Sequence, residues 1–186
     1  MKRNQTLADF LAEGLDIVSV GINPSPSSVQ RGYPFASDRN RFWAALNQSR
    51  LVSAKREPSV DAMRSLLEID SIGFTDIVKR PTKSANDLSS ADFKHGTEVL
   101  IAKLQRFAPR IVWFQGMTAA RHYFRNAPSG RAQDLRWGRL SQQSDDYLYF
   151  VSPNPSSANA TFSKDDLVRF LNQLADIKVG LGHVRL

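Results

Sequence analysis

Residues 16–28 read DIVSVGINPSPSS, an apolar run that stops abruptly at a polar loop. Ile17, Val18, Val20 and Ile22 suit a strand that is buried on both faces, as in a parallel sheet covered by helices. The Asn-Pro pair and the serines end the strand, because proline cannot donate to a sheet ladder. Ligands of an open parallel sheet bind beyond the carboxyl ends of its strands. The stretch therefore predicts both a central strand and a binding loop.

The rest of the chain alternates short apolar runs with helical patterns. We expect three more strands, at 73–78, 110–116 and 147–152, and helices at 40–48, 59–69, 90–107 and 164–177. Such alternation is typical of a βαβ protein with a mainly parallel sheet. Ser163 and Asp166 form a capping pair before the last helix. Residues 127–139 look irregular, and no linker divides the chain, so residues 1–186 are expected to form one domain with a core at about 16–177.

Composition restricts the classes of function. The chain of 186 residues has 25 lysines and arginines against 18 acidic residues, a net charge of +7, which favours nucleic acid over an anionic membrane as partner. The absence of cysteine excludes disulfides, thiol catalysis and iron–sulfur clusters. The three histidines are far apart, so no metal site is expected. No run is long enough to span a membrane and no apolar leader is visible, so a cytoplasmic protein is expected.

A second polar loop follows the last predicted strand. Residues 152–159 read SPNPSSAN and, like residues 21–28, place an Asn-Pro pair inside a stretch rich in serine and proline. Either loop alone is more often a turn than a site. Two such loops, each behind a buried strand, favour a shared binding site.

Basic and aromatic side chains are mixed in residues 31–36 (RGYPFA) and 37–43 (SDRNRFW). This mixture suits nucleic acid, because bases offer π-faces and phosphates attract cations. We expect Phe35 to lie near the first loop, since the short segment must return toward it. Phe42 and Trp43, adjacent on a predicted helix, are expected to belong to the core.

Seven short blocks carry a resemblance that extends over most of the chain. They are GINP at 21–24, YPF at 33–35, NRFW at 40–43, GFTDIVKRP at 73–81, DLSS at 87–90, KLQRFAPRI at 103–111 and NPS at 154–156. In this order they resemble the mismatch-specific uracil-DNA and thymine-DNA glycosylase family, part of the uracil-DNA glycosylase superfamily. The resemblance implies a three-layer α/β/α fold with a central, mainly parallel sheet. It also implies an enzyme without a cofactor that flips a base out of duplex DNA and hydrolyses its N-glycosidic bond.

The chemistry of that reaction fits the residue types. Cleavage passes through an oxocarbenium-like sugar and leaves negative charge on the pyrimidine, so the enzyme must hold a water and donate to the base. By its match to the family, Asn23 places the water, by position more than by basicity. The backbone amide of Ile22 resembles one that is aimed at a base carbonyl, and Phe35 resembles the aromatic residue that stacks on the flipped base. Ser28, in the same loop, is grouped with the base-binding residues.

Two residues in and just after the predicted strand at 73–78 raise further possibilities. The family usually has Asn or Lys at the position of Asp76, so this carboxylate is a departure. It could act as a stronger general base or repel anionic bases, and an aspartate that is solvated or caps a helix is an equal alternative. Thr82 resembles a threonine that helps to hold the water, although such a residue is more often a turn hydroxyl.

The second loop is expected to contact DNA. Asn154 matches the start of the motif that closes the pocket and binds the sugar-phosphate, and Ser156 and Ser157 could bond phosphate oxygens. Ala158 and Asn159 stand where the family has a leucine or arginine wedge that fills the vacated base stack. A small wedge predicts weak retention of product and loose discrimination of the opposite base.

Basic residues near these loops are candidate phosphate contacts, although for any one of them a solvated face is the default interpretation. They are Arg41 and Lys79, with Arg31, Arg39 and Arg80 beside them. The expected substrate is uracil, and possible further ones are thymine and ethenocytosine, opposite guanine in double-stranded DNA. The protein is expected to act as a monomer in a bacterial-type cytoplasm, close to the nucleoid. Alternatives are a non-catalytic nucleic-acid-binding module and a glycosylase for deaminated purines such as hypoxanthine.

Overall fold

The computed structural model describes residues 6–128, 135–143 and 147–182. Within them, five strands form one sheet: β1 (Ile17–Gly21), β2 (Ile72–Asp76), β3 (Ile111–Gln115), β4 (Gly138–Gln143) and β5 (Leu148–Ser152). Their order across the sheet is β2-β1-β3-β5-β4. Strands β2, β1, β3 and β5 are parallel, and β4 is antiparallel to β5 at one edge. The prediction of a mainly parallel sheet is confirmed.

Helices cover both faces of this sheet. The same residues contain α1 (Pro26–Arg31), α2 (Phe42–Leu46), α3 (Val60–Glu68), α4 (Ser90–Phe107), α5 (Met117–Asn126) and α6 (Lys164–Gly182). Helices α2, α3 and α6 pack on one face, and α4 and α5 pack on the other. The three-layer α/β/α architecture is therefore confirmed. In the described parts of the chain, no helix is long and apolar enough to cross a membrane.

The strands alternate their side chains between the two cores. Ile17 and Trp113 point toward α2, α3 and α6, whereas Val18 and Phe114 point toward α4 and α5. All four side chains are almost completely buried. A strand with apolar residues on both faces can lie only between two covering layers, so the apolar side chains on both faces of β1 account for the layered fold.

Local signals placed several element ends correctly. Helix α4 has the predicted bounds, with a capping box between Ser89 and Asp92. Helix α6 begins with the predicted contacts, since the Asp166 amide donates to Ser163 Oγ and the Ser163 amide donates to the Asp166 carboxylate. It continues past the expected end at residue 177 to Gly182. Phe42 and Trp43 belong to the core as expected, with 2% and 5% of their surface exposed.

Helices α1 and α5 and strand β4 were not predicted, and α1 begins at Pro26, inside the stretch 21–28 that was expected to be a loop. Gly116 precedes α5 with a φ of 113° and offers no side chain to cap it, so the sequence carries no start signal there. Strand β4 begins inside the stretch 127–139 that was expected to be irregular. Residues 129–134 of that stretch lie outside the described residues.

The topology creates a crevice between two neighbouring strands. The chain leaves β1 toward β2 on one side and leaves β3 toward β5 on the other. In α/β sheets, ligands bind at the point where the connections diverge in this way. The last residues of the four parallel strands, Gly21, Asp76, Gln115 and Ser152, lie at that edge of the sheet.

Candidate active site

A pocket of about 810 Å³ opens at the carboxyl ends of the strands. Ten residues singled out from the sequence line it: Ile22, Asn23, Ser28, Phe35, Asp76, Thr82, Asn154, Ser156, Ala158 and Asn159. The two Asn-Pro loops thus meet at one site. Ser157, Arg41 and Lys79 were also singled out, but they do not line the pocket.

The carboxamide of Asn23 has a defined orientation. Its Nδ2 donates to the carbonyl of Arg80 at 3.0 Å and to Oγ1 of Thr82 at 2.7 Å, with a longer contact of 3.4 Å to the carbonyl of Pro24. Carbonyl oxygens only accept, so this end of the amide must be the NH₂ group. Oδ1 receives no hydrogen bond from any residue in the described ranges, and it remains an acceptor at the pocket wall.

Thr82 helps to hold that orientation and also makes a local turn contact. Its hydroxyl donates to the carbonyl of Ser84 at 2.7 Å, so its single proton is already engaged. The oxygen can therefore only accept from Asn23. The backbone assists, because the amide of Thr82 donates to the carbonyl of Pro24 at 3.2 Å. These bonds join the loop after β2 to the loop after β1.

Asp76 ends β2 directly beside Gly21 of β1, its register partner. The carboxylate lies against the glycine, because a Cβ built on Gly21 would be 2.3 Å from Oδ1 of Asp76. Burial raises the pKa of Asp76 to about 6, although Lys79 and Lys103 act in the opposite direction. Over the described stretches of chain, no donor bonds either carboxylate oxygen. The pocket thus contains a second unbonded acceptor, with a proton affinity suited to neutral pH.

Phe35 has a strained backbone. Its φ of 58° lies in the left-handed region, which is uncommon for an aromatic residue. The ring stacks on Phe42 at a centroid distance of 3.9 Å and an interplanar angle of 20°, and it meets Phe74 edge-on. Strain of this kind persists where packing enforces it and occurs often at functional sites. Phe35 therefore supplies a fixed aromatic wall.

The serines of the first loop bond to one another. Ser25 caps α1, since its hydroxyl accepts from the amide of Ser28 at 3.2 Å. The same hydroxyl donates to Oγ of Ser28 at 3.0 Å and lies 2.9 Å from that of Ser27. Ser28 itself is buried. Ile22 joins this loop to β2, because its carbonyl accepts from the amide of Val78 at 2.9 Å.

Asn154 shapes the second loop. Its Oδ1 accepts from the amide of Ser156 at 2.8 Å, and its Nδ2 donates to the carbonyl of Gln115 at 3.3 Å. Asn159 Nδ2 in turn donates to the carbonyl of Asn154 at 3.0 Å, so this side chain bonds within its own loop. The exposed tip of the loop is formed by Ser157 and Ala158.

Arg41 holds the same loop in place through hydrogen bonds to its carbonyls. Its guanidinium donates to the carbonyls of Ser156 at 2.9 Å, of Asn159 at 2.7 Å and of Phe162. Its backbone amide donates to the carbonyl of Pro155 at 3.1 Å. The sequence suggested a phosphate contact, but the structure places this guanidinium on three carbonyls within the protein.

Three other predicted phosphate contacts also have partners within the protein. Arg31 pairs with Asp38 at 2.7 Å, Arg80 pairs with Asp92 at 2.7 Å, and Lys79 pairs with Asp9 at 2.8 Å. The pairs of Arg31 and Arg80 are more exposed and therefore weak, whereas Lys79 and Asp9 are largely buried. Arg39, by contrast, is exposed and lines the pocket.

Two parts of the pocket were missed by the sequence analysis. Leu7, Ala8 and Phe10 line it from the segment before β1, where Phe10 pairs with Phe74 of β2. No local pattern marks this segment, because the pairing is purely tertiary. Gln115 also lines the pocket, and its Nε2 donates to Oγ of Ser19 at 3.0 Å. The sequence did indicate Gln115, since it is a polar residue at the end of an otherwise apolar strand.

This arrangement can bind a water and a flat ring together. Asn23 Oδ1 and the Asp76 carboxylate are unbonded acceptors in the same pocket, and Phe35 offers an aromatic face there. Residues 6–128, 135–143 and 147–182 contain no group of three side chains placed to hold a metal ion. The raised pKa of Asp76 and the two unbonded acceptors suit acid–base chemistry.

Comparison with known proteins agrees with this fold. The solution NMR structure of a candidate uracil DNA glycosylase from Methanosarcina acetivorans is similar, with a TM-score of 0.61 and 18% identity over 93% of this chain and 98% of that chain. At this identity the similarity concerns the fold. At the level of sequence, the model of the uracil DNA glycosylase superfamily matches residues 8–178. Because that match spans nearly the whole chain, the protein belongs to the uracil DNA glycosylase superfamily, whose members are DNA glycosylases that act on uracil.

Proposed function

We propose that this protein is a monofunctional, mismatch-specific DNA glycosylase of base excision repair. It flips uracil that is mispaired with guanine out of duplex DNA and hydrolyses the N-glycosidic bond. Ethenocytosine and thymine opposite guanine are proposed as further substrates. The observation that carries the proposal is the fixed carboxamide of Asn23, whose Nδ2 is bonded to Arg80 and Thr82 while Oδ1 remains unbonded at the pocket wall.

In the proposed mechanism, the attacking water bonds Oδ1 of Asn23 and the carboxylate of Asp76. Asp76 takes one proton from the water as the water oxygen attacks C1′ of the deoxyribose. The electrons of the broken bond pass to N1 of the leaving uracil, and the product is an abasic site. Because its pKa is raised to about 6, Asp76 is ionised at neutral pH and is still basic enough to accept a proton.

The leaving base needs stacking and hydrogen-bond donors. We propose that the base stacks on the free face of Phe35, which extends an existing stack with Phe42. The backbone amide of Ile22 is proposed to donate to a uracil carbonyl, where negative charge develops as the bond breaks. Ser28 is proposed to assist through the hydroxyl network of the first loop.

The volume of the pocket supports the wider substrate range. At about 810 Å³ it leaves room beyond a single pyrimidine, so it would accept an exocyclic adduct. The exposed loop tip at Ser157 and Ala158 is proposed to follow the flipped strand. Asn159 is proposed to reach the orphaned guanine only after it releases the carbonyl of Asn154.

The protein is proposed to act as a monomer in the cytoplasm. Its excess of basic residues, +7 overall, supports approach to double-stranded DNA. The absence of cysteine is compatible with a reducing compartment. Arg39, exposed at the rim of the pocket, is proposed as a phosphate contact.

The experiment is a glycosylase assay on end-labelled duplexes. One strand carries uracil, ethenocytosine, thymine or hypoxanthine opposite each of the four bases, and alkali then cleaves any abasic site. We expect cleavage at uracil opposite guanine, with less cleavage of the other pyrimidine lesions. Duplexes without a lesion, and the Asn23→Ala variant on the same substrates, serve as controls.

The alternatives give different patterns in the same assay. Binding without alkali-sensitive sites would indicate a non-catalytic nucleic-acid-binding module. Cleavage at hypoxanthine alone would indicate a glycosylase for deaminated purines. Equal cleavage of uracil opposite adenine and guanine would contradict the mismatch specificity while leaving the glycosylase activity in place.

A further inference from the structure

Asp9 lies next to the pocket in a cluster of charges that the proposed mechanism does not use. Its carboxylate pairs with Lys79 Nζ at 2.8 Å through Oδ1 and with Lys103 Nζ at 2.6 Å through Oδ2. Thr75 Oγ1 donates to the same Oδ1 at 2.8 Å and accepts from Lys103 Nζ at 3.3 Å. Each oxygen of Asp9 thus holds one ammonium group.

This cluster is built from three separate parts of the fold. Asp9 comes from the segment before β1, Thr75 from β2, and Lys103 from the middle of α4. Lys79 lies three residues beyond Asp76 in the loop after β2. The segment is fixed by two backbone bonds between Phe10 and Phe74, of 3.0 and 2.8 Å. The three charged side chains are between 20% and 28% exposed, so solvent screens them only partly.

Asp76 is the immediate neighbour of this cluster but has no ion pair within it. Both lysines act on Asp76 through space, and so does Asp9 with the opposite sign. Nonetheless, the ion pairs within 4 Å are all made to Asp9. Burial tends to raise the pKa of Asp9, but its hydrogen bonds with Lys103 and Lys79 outweigh it and lower that pKa. Asp9 therefore stays ionised and keeps both lysines.

We propose that Asp9 is a positioning residue for the reaction: it holds Lys79 and Lys103 away from Asp76, so that the Asp76 carboxylate stays unpaired and free to accept a proton from water. The inference rests on the proposed function, in which Asp76 is the general base. Without Asp9, an ammonium group would pair with Asp76. A paired carboxylate is a weaker base and has fewer free lone pairs for water.

The test compares two variants with opposite expected effects. In Asp9→Asn the lysines are released, and we expect the titration midpoint of Asp76 to fall by about 1 to 3 pH units. In Lys103→Met one positive charge is lost, and we expect the midpoint to rise. The midpoint is measured by NMR on the carboxyl carbon of Asp76 in protein labelled with ¹³C-aspartate, with Asp76→Asn used to assign the signal.

A second readout is the pH profile of uracil release under single-turnover conditions. The midpoint of the acid limb should follow the NMR midpoint. It should move to lower pH in Asp9→Asn, with a lower maximal rate, and to higher pH in Lys103→Met. Asp9→Glu keeps the charge and should restore the midpoint close to that of the unmodified protein. Thermal unfolding of each variant sets a temperature at which all of them are folded.

The two readouts separate the inference from the proposed function. An NMR midpoint that falls in Asp9→Asn and rises in Lys103→Met would support the role of Asp9. If no uracil were released at the same time, the proposed glycosylase activity would be contradicted. An unchanged midpoint in Asp9→Asn, or one that moves upward, would overturn the inference. A loss of activity in Asp9→Asn that is equal at every pH would overturn it too, because it would reduce Asp9 to an anchor of the N-terminal segment.

Discussion

Asn23 Nδ2 and Thr82 Oγ1 are 2.7 Å apart, and the direction of the hydrogen bond between them is determined by the carbonyl of Ser84, which takes the only hydroxyl proton of Thr82. Thr82 thus adds to the carbonyl of Arg80, also in the loop after β2, in fixing which end of the Asn23 carboxamide faces the pocket. The proposed mechanism needs the oxygen end there. Thr82 acts on the reaction through Asn23, as a positioning residue.

The Thr82→Val variant removes that hydroxyl and keeps the shape of the side chain. We expect uracil release to slow by about 10-fold to 100-fold, as typical for loss of a hydrogen bond that orients a reacting group. Thr82→Ser should retain most of the activity. Single-turnover rates at saturating enzyme isolate this effect from binding. Equal rates in Thr82→Val and the unmodified protein would contradict the positioning role.

Ionisation of Asp76 should increase the activity of the protein and decrease its stability. The pKa of Asp76 is raised from 3.8 to about 6, so Asp76 binds a proton more tightly in the folded protein than in the unfolded chain. The stabilisation associated with that proton is complete below about pH 4 and is lost as the pH rises through 6. Above pH 7, Asp76→Asn should therefore be more stable than the unmodified protein, by at most about 3 kcal/mol.

The same variant should lose the acid limb of the pH profile. In the unmodified protein, uracil release is expected to increase as the pH rises through about 6, because Asp76 must be ionised to accept a proton. Urea unfolding at pH 5 and pH 8 measures the stability, and single-turnover rates measure the profile. An Asp76→Asn variant with an unchanged rate and an unchanged profile would return Asp76 to a structural role.

Gly21→Ala tests the position of Asp76 without altering its charge. The added Cβ would lie 2.3 Å from Oδ1 of Asp76, and the closest backbone atom, the carbonyl of Thr75, would be 3.9 Å away. The carboxylate must therefore move, while the sheet can remain intact. We expect a folded protein with activity reduced toward that of Asp76→Asn. Gly180→Ala is the matched control, because its Cβ would meet no atom within 4 Å.

Variants of Arg41 test whether this residue holds the second loop in place or contacts a phosphate. A lysine cannot reproduce a guanidinium that donates to three carbonyls, so Arg41→Lys should loosen the second loop although it keeps the charge. We expect faster proteolysis at Ser157 and Ala158, slower uracil release and an unchanged dependence of DNA affinity on salt. A phosphate contact would instead give Arg41→Ala a smaller salt slope, by about 1, while Arg41→Lys would keep it.

The sequence predicted the site best where chemistry follows strand topology. Asn23 and Asn154 follow buried parallel strands, and such strands place their following loops together, so their meeting at one pocket was predictable. The role of Thr82 was not, because it depends on which oxygen takes its proton. The sequence made Arg41 and Lys79 candidate phosphate contacts, yet tertiary packing brings carbonyls to Arg41 and Asp9 to Lys79.

Elements without local signals were also missed. Helix α5 starts at a glycine without a cap, and the segment of Asp9 pairs with β2 from a distance of 64 positions between Phe10 and Phe74. Neither a capping pattern nor hydrophobic periodicity records such contacts. The pocket wall they form could be found only in the folded chain.

The most direct test of the account is the amount of free uracil released from a duplex with one uracil opposite guanine. It is measured by chromatography at pH 8 with enzyme in excess. We predict one uracil per duplex from the unmodified protein. We expect release to be slower by at least about 100-fold from Asn23→Ala and Asp76→Asn, both of which should still bind the duplex. No release from the unmodified protein, or undiminished release from both variants, would contradict it.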